Sequence, residues 1–258
     1  MITILSPAKT LKMEKAINTS LYTKPLFIKE ASSLIKELIK YSPPEMEGLM
    51  KVNCKLAEQN FMRHIRWKEE HDLANGKQAL LAYDGAVYQG LSAGDLNQEQ
   101  LFFANDHLII LSGLYGALRP LDLIQPYRLE MGTKMKNKRG NNLYDFWKHK
   151  LTTYLKKELQ KQNDNILIDL ASKEYSCAID LSKINVKVIK PVFKDYKNGA
   201  HKVITIYTKR ARGLMSRFII ENNIILPSDL KKFNEEGYSY NEYLSSDTEF
   251  VFIRSRRI

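Results

Sequence analysis

The sequence predicts a mixed α/β fold, of the α+β kind, in a single compact domain over residues 1–258. Three observations lead there. The chain has 258 residues, 44% of them hydrophobic, which is ample for one large core. Short apolar runs of strand type alternate irregularly with segments whose apolar residues recur at helical spacing. Hairpin-type turns occur toward both ends, and no linker, repeat or low-complexity stretch divides the chain. A regular doubly wound sheet would need a stricter alternation.

Ile2 to Leu5 is the first expected strand, stopped by Pro7. The segment after it, SPAKT at 6–10, puts Lys9 at the strand's carboxyl end. Mixed α/β proteins commonly open a ligand crevice there. Residues 29–41 place Ala31, Leu34, Ile35, Leu38 and Ile39 on one helical face. Ser42-Pro43-Pro44 ends that helix and opens another, with Glu45 and Glu47 at its positive end. A third helical run covers 54–68. The junction LMKVNCKLAEQN, at 49–60, resembles the hairpin of the helix-hairpin-helix motif. Leu49, Val52 and Ala57 match it, while Lys51 and Asn53 stand where its glycines belong. In such hairpins backbone N–H groups hold a DNA phosphate, and Lys51, Lys55 and Arg63 would add charge. A plain αα-hairpin fits the same residues.

Residues 78–83 and 86–91 read as two strands turned at Asp84-Gly85. Asn97 is expected to cap a helix over 97–106, and LIIL at 108–111 is a buried-type strand ending at Gly113. The stretch 111–132, LSGLYGALRPLDLIQPYRLEMG, fits neither helix nor strand. Gly113, Gly116, Gly132, Pro120 and Pro126 fix its backbone, with Arg119, Asp122, Arg128 and Glu130 set between them. Loops held in defined shapes are where function tends to be carried. KMKNKRGNN, at 134–142, reads as an exposed cationic loop. A helix over 143–161 buries Leu143, Phe146, Trp147, Leu151, Tyr154, Leu155 and Leu159.

ILIDLA at 166–171 is a buried-type strand, and SKEY at 172–175 follows it as SPAKT follows the first. The strand over 186–193 is interrupted by Pro191, hence an edge or a bulge. Asn198-Gly199 turns the chain into a further strand over 201–208. Thr208 then caps a helix whose first turns crowd together Lys209, Arg210, Arg212 and Arg217. Cations at that end oppose the helix dipole, so an anion is expected to offset them. The tail from residue 226 adds short helices, a final strand EFVFI and the basic end RSRRI.

The net charge of +11 attracts polyanions, nucleic acid foremost. No window approaches the roughly 18–20 apolar residues of a membrane span. The N-terminus lacks the basic lead and long apolar segment of a signal peptide. The two cysteines, Cys54 and Cys177, fit a reducing compartment, so the expected location is cytoplasmic. There is no P-loop, dinucleotide fingerprint or nucleophile elbow. No histidine has zinc-site spacing with either cysteine. Neither a cofactor nor a metal site is expected.

SPAKT, the whole 111–132 stretch, LASKEY, KPVF and KRARGLMSRFIIEN occur in this order. The combination resembles the YaaA family of bacterial peroxide stress-resistance proteins, over essentially the whole chain. The resemblance implies a compact mixed α/β fold with a basic cleft and a helix-hairpin-helix element. It also implies protection against hydrogen peroxide by limiting unincorporated iron, and binding to DNA, including branched or distorted duplexes.

Two functions follow. The first is DNA binding without sequence preference. Lys9, Arg119 and Arg128 would lie deep in the cleft. Lys51, Lys55, Arg63, Lys209, Arg210, Arg212 and Arg217 would contact phosphates, with Asn53 in the hairpin. The second is an enzyme acting on a nucleotide, a damaged base or another small anion. Lys9, Arg128, Glu130, Glu174 and Tyr175 would then be its acid/base and oxyanion set. An open groove is expected for the first function. A closed pocket with Glu130 and Lys9 in hydrogen-bond reach is expected for the second.

Overall fold

The computed structural model describes residues 1–14, 19–163 and 165–255. The chain opens with β1 (Ile2–Leu5), buried at every position, and the short β2 (Thr10–Leu11). Three helices follow: α1 (Ile28–Leu38), α2 (Pro43–Met50) and α3 (Cys54–Arg66). α1 buries Ala31, Leu34, Ile35 and Leu38 of the face that the apolar spacing predicts, while Ile39, just past the helix end, is exposed. α2 opens on a capping box between Ser42 and Glu45, with proline in its first turn. Lys51 reverses the chain in the left-handed conformation (φ 52°). Asn53 caps α3, its side chain accepting from the Leu56 N–H at 2.9 Å. The two helices do form a hairpin. The residue with the left-handed backbone, however, is Lys51, while Asn53 is extended (φ −77°).

The segment expected as one strand at 78–83 is three pieces: β3 (Lys77–Gln78), α4 (Ala79–Ala82) and β4 (Tyr83–Asp84). The N–H groups of Ala79 and Leu80 donate to Asp122 and Pro120 carbonyls, which bends the chain out of a ladder. The expected return strand is a helix, α5 (Ala86–Leu91). Its buried Tyr88 and Leu91 lie three residues apart, on one helical face and on opposite strand faces. α6 (Gln98–His107) carries the expected Asn97 cap and leads into β5 (Leu108–Ser112). β6 (Gly116–Leu118) and β7 (Leu123–Ile124) lie within the 111–132 stretch. The loop over 134–142 is pinned by the fully buried Met135, and the Arg139 guanidinium lies over the Phe146 ring at 4.7 Å. α7 (Leu143–Lys161) buries its predicted apolar face.

β8 (Ile166–Asp169), the single-turn α8 (Lys173–Ser176) and β9 (Lys187–Lys197) come next. β9 runs straight through Pro191. Its pairing with β8 ends at Ile189, so the proline, which has no N–H to donate, lies beyond the end of that ladder. β10 (Ala200–Lys202) returns through Asn198-Gly199, both at positive φ as such a turn demands. The strand expected to reach 208 stops there, and α9 (Thr205–Glu221) begins before Thr208, which is buried inside it. Val203 and Ile206 are exposed, so the apolar run that suggests a strand covers no core. β11 (Ser239–Tyr240) and β12 (Glu249–Arg254) complete the chain. The basic end falls partly outside the described residues.

The main sheet has eight strands in the order β11-β12-β9-β8-β1-β5-β6, with β10 also paired to β9. β1 is parallel to both β5 and β8, β8 to β9, and β9 to β12. β6, β10 and β11 are antiparallel to their neighbours. The fold is the mixed α/β type that the sequence predicts. Among the described residues, no helix is long and apolar enough to cross a membrane.

Candidate functional site

β1 and β8 are parallel neighbours, with Ile4 opposite Asp169. Their carboxyl ends therefore open at the same edge of the sheet, and SPAKT and SKEY meet there. The Ser172 N–H donates to Ser6 Oγ at 2.8 Å, and the two serine hydroxyls lie 3.3 Å apart. Tyr88 donates its hydroxyl to the Ser6 carbonyl at 3.0 Å, which ties α5 to the same point.

The second half of the 111–132 stretch forms the next wall. A Cβ on Gly113 would lie 2.2 Å from the Leu129 carbonyl oxygen, so only glycine lets the end of β5 touch residues 129–130. Tyr127 is pinned between Tyr83 and Ser112, its hydroxyl 2.5 Å from one and 2.7 Å from the other. α9 supplies the last wall. Gly213 packs directly on the backbone of α5, where an added Cβ would stand 1.8 Å from the Val87 carbonyl oxygen. That contact turns Lys209 and Arg212, neighbours across one helical turn, toward the strand ends.

The result is a cavity of about 300 Å³. On one side Glu130 bridges two cations, with Oε2 at 2.7 Å from Lys9 Nζ and Oε1 at 2.9 Å from Arg128 Nη2. Glu174 lines the same side and accepts the Gly132 N–H at 2.9 Å. Behind Arg128, burial and the like charge of Arg128 lower the pKa of the Arg63 guanidinium. Burial, helped by the charge of Arg63, drives the neighbouring His64 imidazole down to about 4, against the weaker upward pull of a backbone contact with Arg128. On the α9 side burial also lowers Arg212, partly offset by the charge of Asp169. The Asp169 carboxyl is itself raised by burial, although Ser176 and the Ala171 N–H both donate to it. Among the described residues, the buried Nε atoms of Arg128 and Arg212 have no hydrogen-bond partner. Among the described residues, neither Lys209 nor Arg212 has a carboxylate within salt-bridge distance; their neighbours Arg210 and Arg217 do.

Lys9, Arg128, Glu130, Glu174, Tyr175, Lys209 and Arg212 thus line one cavity, as the sequence suggests for a shared site. Burial raises the Tyr175 phenol well above its ordinary value. The other sequence-predicted residues lie elsewhere. Arg119 is at the opposite end of the parallel strands, paired with Glu158 and donating to the Asp106 carbonyl at 3.2 Å. The antiparallel return of β6 carries it away, because Leu118 pairs back with Ile110. Arg210 is held by Glu236 at 2.7 Å. Arg217 donates to the Leu91 and Ser92 carbonyls at 3.1 and 2.8 Å, capping α5, and pairs with Glu221. With α9 starting at Thr205, Arg217 stands toward its carboxyl end, where a cation is favoured. The dipole argument for an anion at this helix therefore falls away, and the open cations Lys209 and Arg212 take its place.

Lys51, Asn53 and Lys55 are exposed at the α2–α3 hairpin, while Arg63 is half-buried and donates to Asn60 Oδ1 at 3.2 Å. At 1.5 Å per residue, Arg63 is about 15 Å along α3 from that hairpin. Ser6 and Ser172 are cavity residues that the sequence reading passes over. Their signal is position alone, each being among the first residues after a buried strand. Among the described residues no group of three or more His, Cys, Asp or Glu side chains is placed to hold a metal ion.

The family model described as peroxide stress protein YaaA matches residues 1–244. That span includes every wall of the cavity, and the chain belongs to this family of peroxide stress proteins, which gives it a role in oxidative stress.

Proposed function

We propose that the chain serves the peroxide stress response in the cytoplasm by binding DNA without sequence preference, so limiting oxidative damage when free iron and peroxide meet. The observation that carries this reading is the convergence of Lys9, Arg128, Lys209 and Arg212, from three distant segments, on one cavity. Two of them, Lys209 and Arg212, have no carboxylate within salt-bridge distance among the described residues. The +11 balance supplies the long-range attraction, and exposed Lys51 and Lys55 at the hairpin offer outer phosphate contacts. Phosphate contacts of this kind position a duplex without reading its sequence. Fluorescence anisotropy of duplex and four-way-junction DNA across salt concentrations tests the reading. Affinity should fall with salt, by about 0.9 in the log–log slope for each phosphate neutralised. Affinity indifferent to salt would sink it.

One observation favours a second reading, an enzyme on a nucleotide, damaged base or other small anion. Glu130 and Lys9 are within hydrogen-bond reach in a bounded cavity, beside Ser6, Ser172 and Glu174. A surface that only coats DNA has no need of carboxylates among its cations. Glu130→Gln separates the two readings: an enzyme loses turnover of a damaged-nucleotide substrate and keeps its DNA affinity.

A further inference from the structure

The cavity has two unlike walls. On the α9 side Lys209 and Arg212 present positive charge with no carboxylate in salt-bridge distance among the described residues, and Arg212 keeps an unpartnered, buried Nε. On the other side Glu130 is already ion-paired with both Arg128 and Lys9, and Glu174 adds a further acceptor. The Ser6 and Ser172 hydroxyls line the same cavity. A phosphodiester chain threaded through would bring its charge against Glu130 and Glu174. A ligand with one anionic end and hydrogen-bond donors at the other satisfies both walls at once. The volume of about 300 Å³ is that of a small-ligand site: a duplex would lie across its mouth, on the exposed Lys9 and Lys209, and not inside it.

Resting on the reading of this cavity as an anion site, we propose that it seats a single nucleoside monophosphate unit. The phosphomonoester lies on Lys209 and Arg212, and the hydroxyl or amino groups of sugar and base face Glu130 and Glu174. A phosphomonoester carries about −1.5 to −2 charges near neutrality, which matches two open cations better than the single charge of a diester. An arginine can also hold two phosphate oxygens at once. Two sources share this chemistry: a free mononucleotide, and the phosphate-terminated end of a broken strand, which radical attack on deoxyribose produces.

Calorimetry with thymidine 3′-monophosphate and with thymidine tests the seat itself. The monophosphate should bind at least about tenfold tighter than the nucleoside, as expected for charge-assisted hydrogen bonds. That ratio should collapse toward one in Arg212→Gln and fall in Lys209→Gln. Lys209 is exposed, so its variant reads out the seat without risk to the fold. Equal binding of nucleoside and monophosphate, or a ratio unmoved in both variants, overturns the proposal. Anisotropy with a gapped duplex ending in a 3′-phosphate or a 3′-hydroxyl, beside a covalently closed duplex, identifies the source. Preference for the phosphate end, lost in Arg212→Gln, supports a strand end. Equal affinity for both ends, with the monophosphate still bound, supports the free nucleotide. If the closed duplex fails to bind while the monophosphate does, the DNA-binding reading falls and the seat stands.

Discussion

The same trio of side chains occurs at both ends of the central sheet: a glutamate bridging an arginine and a lysine. At one end Glu158 holds Arg119 and Lys161, and at the other Glu130 holds Arg128 and Lys9. Burial does not distinguish them, since the Arg119 and Arg128 side chains are 19% and 16% exposed. Their surroundings do. Arg119 also donates through Nη1 to the Asp106 carbonyl and lies over the Tyr154 ring at 5.9 Å, so both terminal nitrogens are engaged within the fold. Arg128 keeps an unpartnered Nε and shares its cavity with Lys209 and Arg212. An ion-paired trio is structural where every neighbour is satisfied. It becomes a site wall where donors and charge are left over.

The sharpest way to break this contrast is to dislodge the α9 wall. Gly213→Ala places a methyl against the Val87 carbonyl, and neither backbone can yield easily. The expected loss is about 3 kcal/mol in urea denaturation, with DNA affinity falling as Lys209 and Arg212 shift. Acid attacks the open end through His64, packed beside Arg128. Its folded pKa of about 4 lies below the unfolded value of 6.5, so its contribution is complete above pH 6.5 and is lost as pH falls toward 4. By pH 4 that loss is roughly 3 kcal/mol, and a His64→Phe variant should lack this part of the pH dependence of unfolding.

At the closed end, Arg119→Met leaves Glu158 buried with only Lys161. Stability should drop by about 2 kcal/mol while the salt dependence of DNA binding stays as it was. Lys9→Gln has the smallest expected effect on stability, within about 0.5 kcal/mol, because its side chain is mostly exposed. It should nonetheless flatten the salt dependence by about 0.9 in the log–log slope.

Much of this arrangement is legible in the sequence where a periodic face or a cap exists. α1 and α7 show their buried stripes, and Ser42 and Asn97 mark helix starts. Local signals fail where long-range contacts decide. Two-residue ladders with β7 and β2 split 77–84, and no periodicity registers at that length. α5 is too short to display a stripe, and its identity rests on packing against α9 through Gly90 and Gly213. SPAKT and SKEY can be matched as strand-end segments, but only the β1–β8 pairing brings Ser6 onto Ser172. The separation of Arg119 from Arg128 depends on the direction of β6, which glycines and prolines permit but do not dictate.

The most direct test is the salt dependence of duplex affinity in two variants of this one chain. Lys9→Gln/Lys209→Gln removes charge from the open end, and Arg119→Met removes it from the closed end. The log–log slope should fall by about 1.8 in the first and stay at the wild-type value in the second. An unchanged slope in the double variant, or an equal fall in Arg119→Met, would contradict the assignment of anion binding to the cavity between β1, β8 and α9.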